Sequence, residues 1–172
     1  MAASHIQRTK KRKIMKMIFS RLQRRYPMPV KTKMKRMIQR ACELSGLLDD
    51  NPDFILAVNF VDTRTICRLN RQFVGHEGPT DVISFNYGTD SSNDIDAELF
   101  ICTDTAENAA KRLKRSFSDE VSLYIIHGIL HISGEEDSTA SERKRMRRLE
   151  QMVLSNLGRT FDSGEIFPER RK

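Results

Sequence analysis

The chain of 172 residues is 38% hydrophobic and 31% charged, without tryptophan, a composition and length that fit one globular domain with its own core. No apolar run reaches bilayer-spanning length, and the first residues hold no apolar secretory segment. Cys42, Cys67 and Cys102 are odd in number and form no CxxC pair, so reduced thiols in a cytoplasmic protein are expected.

The net charge of +7 hides an asymmetry. Residues 1–42 carry 14 Lys and Arg and no acid, while the rest carries 16 basic and 23 acidic side chains, a balance of −7. A basic arm on a mildly acidic domain favours a polyanion partner, nucleic acid or an anionic surface.

Residues 1 to about 25 hold Lys10, Lys11, Arg12 and Lys13, then Lys16, Arg21, Arg24 and Arg25, interleaved with Ile14, Met17, Ile18 and Leu22. That spacing predicts an amphipathic basic helix. Three roles are compatible with it: an arm that neutralises nucleic-acid phosphates, a solvated tail, or an organelle transit peptide. Tyr26-Pro-Met-Pro29 stops a helix, so the expected division is an arm over 1–27, one domain over 28–160 and a tail over 161–172.

Val30, Met34, Met37, Ile38, Ala41, Leu44 and Leu48 follow a helical period. Phe54 to Val61 reads as a buried strand, and Asp62 as the cap of a short helix containing Ile66 and Leu69. Val74 to Pro79 is loop. Thr80–Phe85 and Glu98–Cys102 are strands, separated by a polar surface loop over 88–96. Asp104 with Glu107 forms a capping pair for a helix to about Arg115. Ser118, with Asp119 and Glu120 behind it, opens a helix that is apolar nearly all round and therefore central. A last helix starts near Ser138 or Thr139, with Glu142 placed for a capping box, and ends around Gly158. The mixture predicts an α+β domain, a small mixed sheet packed with helices around one buried helix.

That buried helix carries His127 and His131, four apart and on one face. Gly134 suits a left-handed helix end, and Asp137 then turns back towards both imidazoles. Two nitrogens and a carboxylate oxygen are a donor set for one zinc ion per chain, with a fourth position open for catalysis. Zinc so held would make water acidic enough to supply hydroxide near neutral pH. The pattern His-x-x-x-His-x-x-Gly-x-x-Asp also resembles a metzincin protease site, but those enzymes carry Glu after the first histidine, where this chain has Gly128. A peptidase would have to recruit Glu135 or Glu136 as base.

Several segments, in order, resemble the YbeY endoribonucleases. They are Leu69-Asn70 through Pro79-Thr80-Asp81-Val82-Ile83-Ser84-Phe85, the strand Glu98–Cys102, the run His127-Gly128-x-Leu130-His131-x-x-Gly134, and Glu142 with Met146. The resemblance spans about residues 30–157. It implies a single zincin-like domain, a bound zinc, and cutting of single-stranded RNA at the 3′ end of small-subunit ribosomal RNA. It also implies ribosome quality control, proteins of the small subunit as partners, and no membrane. The family's third histidine is Asp137 here, and an added negative charge weakens a zinc ion as a Lewis acid. The family's arginine after LNxx[YF], linked to RNA cleavage, is Val74. Arg71, three residues upstream, is the candidate replacement. Together with Lys10, Lys11, Arg12 and Lys13 it makes up the expected RNA-contacting set. Thr80, Asp81 and Ser84 line a strand near the metal in the family, but no catalytic residue follows from the sequence. The rival to a nuclease is an RNA-binding ribosome-assembly factor whose zinc is structural.

Overall fold

A computed structural model describes residues 15–49, 51, 53–88, 94–158 and 166–168. Four strands form one mixed sheet: β1 Lys16–Arg21, β2 Ile55–Val61, β3 Val82–Asn86 and β4 Ala97–Cys102. The order across the sheet is β1-β2-β4-β3, with β1, β2 and β4 parallel and β3 antiparallel to β4. The helices are α1 Lys31–Leu44, α2 Thr63–Leu69, α3 Thr103–Leu113, α4 Phe117–Ile132 and α5 Ala140–Gly158, with a π-helical turn at Asn70–Val74 after α2. The expected α+β architecture holds, and so does the central place of the histidine-bearing helix.

Residues 16–21 correct the sequence reading. They form an edge strand and not an amphipathic helix. Met15, Met17 and Phe19 pack into the main core while Ile18 faces out, a period of two that the basic residues mask. The edge of β2 completes the choice, since Lys16 N donates to Phe54 O at 3.0 Å and Leu22 N to Phe60 O at 2.9 Å. The chain is therefore part of the fold well before residue 28. Tyr26 is buried in a turn closed by Gln23, whose Oε1 accepts from Tyr26 N at 2.7 Å. Its ring stacks on Phe117 at 4.5 Å. Lys10, Lys11, Arg12 and Lys13 lie outside the described residues.

The expected tail needs a similar correction. Ile166 is fully buried, Phe167 stands edge-on to Phe60 and Phe117, and Ile166 O accepts from Val30 N at 2.7 Å. This contact fixes the chain at the entry to α1, where Val30 makes no side-chain cap.

Two caps differ from expectation and two do not, Asp62 capping α2 by accepting from Thr65 N at 2.9 Å. Asp104 caps nothing on α3. Its Oδ2 instead accepts from Thr63 N and Oγ1 at 2.9 and 3.0 Å, tying α3 to the start of α2, and Glu107 accepts from the Tyr26 hydroxyl. Ser116, not Ser118, caps α4 in a reciprocal box with Asp119, while Ser118 is buried one turn in. At α5 the anticipated box is present, with Thr139 N donating to Glu142 Oε2 at 2.7 Å and Glu142 N to Thr139 Oγ1 at 3.2 Å.

α4 lies directly on β3 and β4, and Gly128 sets the spacing. A Cβ at Gly128 would sit 2.6 Å from Leu99 Cδ2 and 3.1 Å from Val82 Cγ2, and Leu99 is fully buried. A side chain there must push back the end of Leu99, and a glutamate would also place its carboxylate against Leu99 and Val82. Helix–sheet packing thus disfavours a protease base at this position. Gly128→Ala gains ~1 kcal/mol in helix propensity, but overpacking of this kind costs about 1–3 kcal/mol. A net loss of up to about 2 kcal/mol is expected, read as a lowered midpoint in thermal unfolding. An unchanged midpoint would mean that the sheet yields freely at Leu99.

Candidate metal centre and cleft

The last two turns of α4 place His127 and His131 one above the other. The helix then closes in a Schellman-type turn, with Gly134 at φ 97° and Glu135 N donating to Leu130 O at 3.0 Å. The following loop comes back over the imidazoles, held by Arg143, whose Nη1 donates to the carbonyls of Asp137 at 3.1 Å and Ser138 at 2.6 Å. Asp137 Oδ2 consequently lies 3.7 Å from His127 Nε2 and 3.9 Å from His131 Nε2, and the two Nε2 atoms are 3.0 Å apart. Donors of one tetrahedral zinc, each about 2.0–2.2 Å from the ion, stand roughly 3.3–3.5 Å from one another. The three separations straddle that value. Among the described residues this is the one His, Cys and carboxylate group able to hold a metal, and its donors fit the ion that the sequence implies.

Both imidazoles are oriented from behind. His127 Nδ1 is 2.7 Å from Glu150 Oε1 on α5, and His131 Nδ1 is 2.9 Å from the carbonyl of Glu135. These bonds fix the Nδ1–H tautomers and turn both Nε2 lone pairs towards Asp137. Burial pulls the His127 pKa down. The Glu150 hydrogen bond and the negative charges of Asp81, Glu150 and Asp137 outweigh it, so the pKa stands above the usual histidine value. Glu150 was not picked out in the sequence. Its signal is a single carboxylate in the buried row Met146, Val153 and Leu157 of α5. Glu150→Ala should weaken metal affinity about 10–100-fold, measured by competition with a chromophoric chelator. Unaltered affinity would show that His127 keeps its orientation unaided.

One flank of the centre opens into a cleft of about 540 Å³ between the π turn, the loop over 75–80, β3 and the loop after α4. His131 and Glu136 line it beside Val74, His76, Thr80 and Ser84. Of the family-motif residues, Thr80 and Ser84 therefore face the cleft. Asp81 is used locally, its Oδ1 accepting from Val82 N at 2.8 Å and from the Thr80 hydroxyl at 3.1 Å. Glu135 is engaged by Arg145 at 2.7 Å, which leaves Glu136 as the acid of that pair on the cleft. Val74 is 46% exposed on the cleft wall. Arg71 does not itself line the cleft. It lines a separate hollow with Arg64 and Arg68, while its guanidinium pairs at 2.9 Å with Glu77, which does line the cleft.

Fold and site together define an α+β domain with a His–His–Asp group able to hold a metal at the mouth of a polar cleft. Comparison with known proteins names the family. The sequence model described as Endoribonuclease YbeY matches residues 19–158. The curated protein named Endoribonuclease YbeY of Chlorobium phaeobacteroides strain BS1 is 34% identical over 125 residues, 73% of this chain and 86% of that protein. The protein of the same name from Aquifex aeolicus is 34% identical over 133 residues, 76% of this chain and 86% of that one. The solution structure of TM1509 from Thermotoga maritima matches with a TM-score of 0.51 at 21% identity, over 92% of this chain and 100% of that one, a likeness of fold. The chain belongs to the YbeY endoribonuclease family.

Proposed function

We propose that this protein is a zinc-dependent endoribonuclease that cuts single-stranded RNA in maturing the 3′ end of small-subunit ribosomal RNA and in ribosome quality control. The observation that carries the reading is the three-donor constellation at the mouth of an open cleft in a domain of this family. His127, His131 and Asp137 would hold the ion, with Glu150 and the Glu135 carbonyl keeping both histidines in the ligating tautomer. When bound, the ion supplies Lewis-acid activation of water near neutral pH. Thr80 and Ser84 offer hydroxyls to phosphate oxygens along the cleft. The basic residues before residue 28, Lys10, Lys11, Arg12 and Lys13 among them, add phosphate contacts from outside, together with Arg71 of the π turn. The reading places the protein in the cytoplasm with the small subunit and its proteins. No helix among the described residues is long and apolar enough to cross a membrane.

Purified full-length protein is expected to cut single-stranded RNA and leave duplex RNA intact, to lose the activity in chelator and to regain it with zinc. Cleavage that ignores the chelator, or none in zinc-loaded protein, would overturn the nuclease. In the latter case the assembly-factor reading, which Val74 and the extra charge of Asp137 favour, takes its place.

A further inference from the structure

Strand alternation sorts the sheet's two faces. Leu56, Val58, Leu99 and Ile101 join the main core on the α4 side, while Ile83, Phe85, Phe100 and Cys102 project to the other side. Among the described residues, α2 and the π turn cross this outer face at one end, where Ile66 packs with Val61, Ile83 and Cys102. Beyond them the face carries a ribbon of rings. Phe73 of the π turn is 57% exposed and stands edge-on to Phe85 at 5.4 Å. Tyr87 is 37% exposed and lies parallel to Phe85 at 6.2 Å with 7° between the planes, its hydroxyl donating to Glu98 Oε2 at 3.0 Å. Phe100 meets Phe85 edge-on at 5.9 Å. Grouped, exposed aromatic rings mark a contact surface and not a core.

We propose that this outer face is a stacking platform for unpaired RNA bases, with the arginines on the solvent side of α2 holding the phosphates. The proposal rests on the ribonuclease reading and adds the route by which the strand is held. Charge selects RNA over an apolar protein partner. Arg64, Arg68 and Arg71 fall at i, i+4 and i+7 along the exposed side of α2 and its continuation. Of these, Arg71 is paired with Glu77, whereas Arg64 and Arg68 have no carboxylate within ion-pairing distance among the described residues. The acid on the ring face itself, Glu98, accepts from the Asn59 amide at 2.7 Å and from the Tyr87 hydroxyl at 3.0 Å, which orient the carboxylate without neutralising it, so the arginines must outweigh one acid. The platform is also continuous with the metal cleft, because Phe73 adjoins Val74 in one turn and Val74 lines the cleft. A strand with bases on Phe73 and Tyr87 would pass its backbone over that turn towards His131. Duplex RNA hides its base faces and gains nothing from the rings, so the platform selects single strands.

The test is binding without cutting. Full-length protein carrying His131→Ala is titrated in chelator with a labelled single-stranded oligonucleotide and with a hairpin of equal length. Phe73→Ala and Tyr87→Ala should each weaken single-strand binding about tenfold, as loss of one stacked base does, and leave hairpin binding unchanged. Phe73→Trp should bind as the parent, and Phe73→Leu should fall like alanine. Arg68→Gln should reduce the slope of log K against log salt by about 0.7. Thermal midpoints equal to the parent's confirm folding, as expected for exposed rings. Parental affinity in Phe73→Ala and Tyr87→Ala, or full affinity in Phe73→Leu, overturns the platform, the latter because an apolar side chain then serves without stacking. If the parent binds no single-stranded RNA, the ribonuclease reading itself fails and the platform with it.

Discussion

Alanine at His131 is expected to empty the metal site and to reduce RNA cleavage by about 10³-fold or more. On the proposed reading the side chain is one of three residues that would hold the ion, and His127 and Asp137 alone would hold it more weakly. His131 also anchors its own surroundings, since its Nδ1–H bond to the Glu135 carbonyl at 2.9 Å helps hold the returning loop that brings Asp137 within 3.9 Å. Losing it removes a ligand and loosens another. Lewis-acid stabilisation worth several kcal/mol corresponds to some three orders of magnitude in rate. Elemental analysis of the purified variant should find zinc well below one per chain, and single-turnover assays should find the rate deficit. Circular dichroism should find the fold intact, because Ile125, Ile129 and Ile132, not the histidines, bury α4 in the core. Cleavage at the parental rate in a zinc-free variant would move the chemistry elsewhere in the cleft.

How much of this was legible in the sequence depended on how far apart the cooperating residues are. His127, His131, Gly134 and Asp137 act within eleven positions, so helix period and one glycine turn were enough to bring the donors together. β2, β3, β4 and the capping box of α5 announced themselves through local pattern in the same way. The misreadings share a different cause. Met15, Met17 and Phe19 become a strand because the edge of β2 offers backbone partners, and β2 is far along the chain. Ile166 and Phe167 lie beyond the last helix, and what buries them is a gap between Val30, Phe60 and Phe117. Asp104 looked like a cap for its own helix, yet the backbone N–H of Thr63 claims it. Glu150 supports His127 across 23 positions, a pairing that exists only once α5 folds over α4. Gly128 combines both situations. Its identity already argued against a protease, but the reason, the closeness of Leu99 and Val82, belongs to the packed sheet.

Val74→Arg is expected to raise kcat/KM for single-stranded RNA about 10–100-fold. Val74 is a solvent-facing residue of the cleft wall shared with His131, so a longer side chain enters open space and displaces no core. A guanidinium there would meet phosphate oxygens next to the metal centre, and a charge-assisted hydrogen bond contributes about 1.5–3 kcal/mol. The gain should appear mainly in kcat, because a planar fork that matches the pentavalent phosphate better than the ground state acts on the transition state. Val74→Lys should give less, having the charge without the bidentate geometry, and Val74→Gln should give little. One neighbour opposes the effect. Glu77 also lines the cleft and now pairs with Arg71 at 2.9 Å, so it would compete for the new guanidinium. Glu77→Gln combined with Val74→Arg should therefore exceed the single substitution. If both variants bind RNA more tightly and cut it no faster, the cleft lacks more than an arginine, and the metal serves the fold of an RNA-binding protein.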